Sequence, residues 1–126
     1  GELSIAWDKQ EPVVVRTLES LIAQHGTPAF IKIDVEGFEA EALQGLQTPV
    51  KALSFEFLPA SRDSALKSIQ EVERLGRYRF NYSMVESMRM ASVHWLAASE
   101  MREIIGKMPQ GGRSGDVYAV LDEGAP

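Results

Sequence analysis

The sequence predicts an α/β domain organised around a parallel sheet, and three observations carry that prediction. The runs at 30–35 and 52–58 are short and nearly continuously apolar, each is followed by apolar residues at helical spacing, and strand-like and helix-like stretches alternate through the middle of the chain.

In chain order, residues 3–7 and 13–16 are short apolar or β-branched runs separated by the polar stretch 8–12, which fits a strand pair or an extended lead-in. Thr17 is placed to cap a helix with Leu18, Leu21 and Ile22 on one face, and Gly26 with Pro28 stops it. The run 30–35 ends in acidic residues and Gly37, and reads as a strand buried on both faces. Phe38, Ala42, Leu43 and Leu46 then repeat at helical spacing until Thr48 and Pro49. A second buried strand, 52–58, is closed by Pro59. From Ser61 onward, Leu66, Ile69, Val72 and Leu75 keep the period of an amphipathic helix that Gly76 ends. Residues 78–82 are aromatic-rich and strand-like, and 88–93 read as extended. Ser99 is placed to cap a helix carrying Met101, Ile104, Ile105 and Met108. A glycine-rich loop, 109–115, leads to a last strand at 116–121, and residues 122–126 read as a frayed tail.

The length of 126 residues suits one domain with a core large enough to fold without staples. The absence of cysteine excludes a disulfide framework, a thiolate nucleophile and any Cys-ligated metal. Thirteen Lys and Arg against 18 Asp and Glu leave a net charge of −5, and the basic residues do not cluster, so no nucleic-acid partner is expected. No apolar run approaches the roughly 18 residues of a membrane span, and residues 1–10 lack a basic region followed by an apolar stretch. The expectation is a cytoplasmic protein with no membrane partner. His25, in the last turn of a helix, and His94, beside Trp95, have no HxH or HxxxH spacing, so no metal site is expected; magnesium on Asp34 and Glu36 is a minor alternative. The methionines read as fillers of core gaps.

The segment 31–39, IKIDVEGFE, sets three carboxylates where a buried strand ends and a helix begins. Glu36 and Glu39 are accounted for by the helix dipole, worth about 0.3–1 kcal/mol for each carboxylate near an N-terminus. Asp34 is either a cap or part of a site, because parallel sheets take ligands beyond the carboxyl ends of their strands. Lys32 and Glu56 are charges inside otherwise apolar strands. If those strands are neighbours, the two side chains meet across the sheet or converge on a shared polar cleft.

IKIDVEGFE resembles the signature of the FkbM family of S-adenosylmethionine-dependent methyltransferases, and residues 16–21 (RTLESL) resemble the TLDSL-like segment that precedes it. The blocks 52–57 (ALSFEF), 78–81 (YRFN) and 115–119 (GDVYA) are similar to the family's following strands in order, so the resemblance spans 13–120. It implies the C-terminal half of a Rossmann-like class I methyltransferase sheet, with 30–34 as the fourth strand, 52–58 as the fifth, helices on the faces, and 78–82 with 116–121 as an antiparallel edge pair. The implied reaction is O-methylation of a small-molecule or carbohydrate hydroxyl, with S-adenosylmethionine as cofactor. The acidic end of the fourth strand is implied to lie near the reactive methyl, which makes Asp34 the catalytic and cofactor-contacting candidate and Glu36 the second catalytic one. Glu39, Glu56, Asn81 and His94 are candidates for holding the acceptor. A carboxylate at that strand end orients or deprotonates a hydroxyl and offsets a sulfonium charge.

No glycine-rich strand-to-helix turn precedes Ile31, no second acidic strand end is present for a cofactor ribose, and the GGRSG stretch at 111–115 precedes a strand and reads as a surface loop. Residues 1–126 are therefore expected to be the C-terminal portion of a methyltransferase domain whose cofactor-binding half is absent. Such a chain is expected to bind S-adenosylmethionine weakly, to be inactive alone, and to pair into a homodimer through an exposed sheet edge. Two other readings compete. A non-catalytic α/β binding or interaction module is favoured if the surroundings of Asp34 are packed or capped. A metal-dependent phosphotransfer or glycosyl-transfer site lacks the basic and nucleotide-binding elements it needs.

Overall fold

A computed structural model describes residues 2–6, 22–23, 26–27, 29–34, 38–85, 87 and 89–122. Five strands form one mixed sheet: β1 (Glu2–Ala6), β2 (Phe30–Asp34), β3 (Ala52–Phe57), β4 (Tyr78–Met84) and β5 (Gly115–Leu121), in the spatial order β1-β2-β3-β5-β4. The first three are parallel, and β5 enters antiparallel to both β3 and β4. The expected pairing of 78–82 with 116–121 is present, with β4 outermost and the last strand inside. Among the described residues, the α-helices with defined bounds are α1 (Glu39–Gln44), α2 (Arg62–Leu75) and α3 (Ala98–Lys107).

Strand alternation gives the sheet two unlike faces. On one, Ile31 and Ile33 align with Leu53 and Phe55, which align in turn with Ala119 and Val117, and these with Phe80 and Tyr82. This row is the centre of the core. The helices supply the other half of it: Ala65, Ile69, Val72 and Leu75 of α2 recur every three or four residues and are buried, as are Met101 and Ile105 of α3. Burying Ile69 or Val72 completely contributes about 1.5–3 kcal/mol each. α2 lies between α1 and α3, packing on both.

Two polar locks hold this layer in place. The Arg74 guanidinium donates to the carbonyls of Leu43 (3.2 Å) and Leu46 (2.8 Å), placing a cation at the C-terminal end of α1. Tyr78 donates its hydroxyl to the Val50 carbonyl at 2.7 Å and accepts from the Val50 N–H at 3.1 Å, tying the loop before β3 to the edge strand. Burial pushes the Tyr78 phenol above its ordinary range, and the bond to Val50 pulls the other way. Gly115 opens β5 where a side chain has no room: a Cβ there would lie 2.5 Å from the Ser83 carbonyl oxygen and 2.9 Å from the Phe57 ring. Gly26 ends the preceding helical turn with φ of +87°, its N–H bonded to the Ile22 carbonyl, as its position in the sequence predicts.

Several expectations need correction. β2 is buried on one face only, because Lys32 and Asp34 are exposed on the other. The helix after it starts at Glu39 with Phe38 as its N-cap, and Phe38 is 57% exposed, outside the apolar stripe. Ala97 is the N-cap of α3, with Glu100 accepting a hydrogen bond from the Ala97 N–H, so Ser99 lies inside the first turn. Residues 89–95 form bends, and Leu96 exchanges two backbone bonds of 2.7 Å with Phe80 while the Ala91 N–H bonds to Tyr82. This segment covers the outer edge of β4. Asp122 is tied to Arg77 and Arg79, so fraying does not begin there. The run 13–16, most of the helix from Thr17 and residues 123–126 lie outside the described residues.

Candidate functional site

The face of the sheet turned away from the helices carries the polar residues. Asp34 ends β2 and is exposed, with Lys32 two residues before it on the same side. Lys32 aligns with Ser54 on β3, Ser54 with Tyr118 on β5, and Tyr118 with Asn81 on β4. One step along, Glu56 aligns with Asp116, and Asp116 with Ser83. Because β5 runs antiparallel, its second residue reaches the sheet end where β2 and β3 finish. Asp34, Glu56 and Asp116 thus stand on three consecutive strands at one end of one face, with neighbouring strands about 4.8 Å apart and the two aspartates about 10 Å apart.

Electrostatics couples the group. Burial pushes the Asp116 carboxyl above the usual carboxylate range; the Lys32 ammonium opposes that rise and the Asp34 charge adds to it. Lys32 and Glu56, expected in one polar cleft if their strands were neighbours, do share a face, two residues apart in register.

The other expected residues are placed as follows. Glu36 and His25 lie outside the described residues. Glu39 is buried in the first turn of α1, and the helix-dipole account predicts that first-turn position. Asn81 shares the face, but its amide is engaged: Nδ2 donates to the Ser92 carbonyl, and Oδ1 accepts from the N–H groups of Tyr82 and Ser92. It fastens the edge-covering segment to β4. His94 is exposed in that segment, at the far edge of the sheet from β2. Asp116, Ser54 and Tyr118 were not singled out by the sequence, although the alternation of Asp116, Tyr118 and Val120 with Val117 and Ala119 already separates a polar side of β5 from its core side.

A depression of about 570 Å³ lined by Asp63, Leu66, Lys67, Gln70, Glu73 and Arg102 lies in the helix layer, not at the carboxylates, and is bridged by the Arg102–Glu73 ion pair. Among the described residues, no group of His, Asp and Glu side chains is arranged to hold a metal ion, and no helix is long and apolar enough to cross a membrane.

No curated protein matches the chain. A family model described as the methyltransferase FkbM domain matches residues 2–105, which include β1 to β4, all but the last turn of α3 and the acidic end of β2. The chain therefore belongs to the FkbM methyltransferase family.

Proposed function

We propose that this chain supplies the acceptor-binding side of an S-adenosylmethionine-dependent O-methyltransferase acting on a hydroxyl of a small molecule or sugar. The observation that carries this reading is the exposed Asp34 at the carboxyl end of a parallel strand, flanked on the same face by Glu56 and Asp116. The order of the strands, three parallel followed by an antiparallel pair with the last strand inserted, supports β2 and β3 as the fourth and fifth strands of a Rossmann-like methyltransferase sheet.

The donor set fits a cationic cofactor at this point: among the described residues, Asp34, Glu56 and Asp116 stand at the strand ends with Lys32. When bound, S-adenosylmethionine supplies an electrophilic methyl on a sulfonium sulfur. Asp34 accepts a hydrogen bond from the acceptor hydroxyl, fixes the direction of its oxygen, and holds the released proton on a carboxylate oxygen. Glu56 and Asp116 favour a positive charge in front of the strand ends, and Lys32 restrains their mutual repulsion. The openness of Asp34 speaks against the non-catalytic module, which calls for a packed or capped carboxylate there.

Transfer of labelled methyl from S-adenosylmethionine to a panel of sugars, polyols and amines, run at millimolar cofactor, tests the proposal. Label on hydroxyls that falls about 100-fold or more in Asp34→Asn is the expected result. Label confined to amines, or transfer undiminished in Asp34→Asn, refutes it.

A further inference from the structure

The two edges of the sheet are finished differently. At one, Leu96 exchanges two backbone bonds of 2.7 Å with Phe80, and the Ala91 N–H bonds to the Tyr82 carbonyl, so the outer side of β4 is partly taken up. At the other, β1 pairs with β2 along its whole length, from Glu2 with Phe30 to Ala6 with Asp34, and among the described residues no strand pairs with its outer side. In an edge strand some of the N–H and C=O groups turn outward, and proteins blunt such a row with lysine, proline, a bulge or a covering segment. The β1 sequence, ELSIA, contains neither Lys nor Pro, its pairing with β2 runs without a bulge, and its one charge is at its first residue.

We propose that the outer edge of β1 is an interface with a second copy of this chain, the two β1 strands pairing antiparallel across a two-fold axis. The order of residues in the strand selects a second copy. With the axis at Ser4, the middle residue, all five residues of both strands find an opposite number: Glu2 of each copy stands across from Ala6 of the other, and Leu3 across from Ile5. The two negative charges are thereby kept apart, and the apolar positions meet each other. Leu3 and Ile5 are also in register with Ile31 and Ile33, so the core-side row of the sheet runs on from β3 and β2 through β1 into the second copy. An axis of this kind stands perpendicular to the sheet, reversing the strand directions without exchanging the faces, so both helix layers lie on one side of a joint sheet. The same reversal sends the carboxyl ends of the two β2 strands to opposite ends of that sheet, and each Asp34 stays open. The pairing does not depend on the methyltransferase reading.

Sedimentation equilibrium of the full chain, over a concentration series from about 1 μM to about 1 mM, tests the interface. The weight-average mass is expected to climb from 13.9 kDa towards twice that value. Ser4→Lys and Ser4→Glu each set like charges opposite each other at the axis, and each is expected to weaken the dimer about fivefold. An equimolar mixture of the two variants is expected to recover the association of the parent, because Lys then faces Glu; this recovery separates a broken interface from a broken fold. A mass that stays at 13.9 kDa throughout the series, a dimer that both substitutions leave unchanged, or weakened variants that do not recover on mixing overturns the proposal.

Discussion

Replacing Gly115 with alanine perturbs the point where β5 enters between β3 and β4. The added Cβ would stand 2.5 Å from the Ser83 carbonyl oxygen and 2.9 Å from Cε1 of Phe57. Neither obstacle gives way easily, since one is backbone of the neighbouring strand and the other belongs to a ring only 2% exposed. The first residues of β5 must therefore shift away from one partner, with an overpacking penalty in the upper part of the usual range, about 2–3 kcal/mol. Loss of glycine's freedom in the unfolded chain offsets about 0.4–1 kcal/mol of this. The net destabilisation of about 1–2.6 kcal/mol lowers the melting temperature by about 4–10 °C for a domain of this size. Calorimetry on the parent and Gly115→Ala measures the shift. A melting temperature within about 1 °C of the parent refutes the reasoning, because it means that β5 does not thread the gap between Ser83 and Phe57.

Two further outcomes follow from the locks and charges. Tyr78→Phe leaves the Val50 N–H and C=O without their side-chain partner, and is expected to lower stability by about 1–3 kcal/mol, read as a lower denaturant midpoint at unchanged slope; an unchanged midpoint counts against the lock. Because burial raises the Tyr78 phenol, the unfolded chain releases that proton first, so parent stability drops as pH climbs past about 10 and the Phe variant lacks this component. Asp116 has the opposite sign to a salt-bridged carboxylate. Its native form holds the proton more tightly than the unfolded chain, so stability declines as pH rises from about 3.9 through the raised native value and stays reduced above it. Asp116→Asn is therefore expected to melt higher than the parent at neutral pH, with the gap closing in acid; a parent that gains on the variant as pH rises through that window contradicts the burial of Asp116.

The strand and helix order of the middle of the chain was legible because its signals are local. Apolar runs mark β2 and β3, and the spacing of Ile69, Val72 and Leu75 marks α2. The faces were harder. Reading 30–35 as buried on both sides overrode a period-two pattern already present in Ile31, Lys32, Ile33 and Asp34, where the two charges mark the open side. Ser99 drew attention as a cap by its chemistry, whereas Ala97 took the position because Glu100 reaches back to its backbone. Asn81 looked like a site residue because a polar side chain follows an aromatic one in a strand. Its partners, at Ser92, come from a segment without regular structure, which no periodicity announces. Asp34 was legible as the end of an apolar strand. Asp116 was not, because its meaning depends on the register of β5 against β3, a pairing between residues sixty positions apart.

That register is also what makes the site more than a strand end. In a wholly parallel sheet, only residues at the carboxyl ends of strands gather where ligands bind. Inserting β5 antiparallel brings a residue from the start of a strand to the same place, and here that residue is a carboxylate held close to two others. Burial and the Asp34 charge both work against the Asp116 carboxylate, and the Lys32 ammonium offsets part of that. Stability alone would favour Asn or Ser at position 116, facing Glu56 and Ser83, both of which keep a hydrogen-bonding group without the charge. A carboxylate there puts the local chemistry at odds with the burial around it. Such conflicts concentrate where a ligand resolves them.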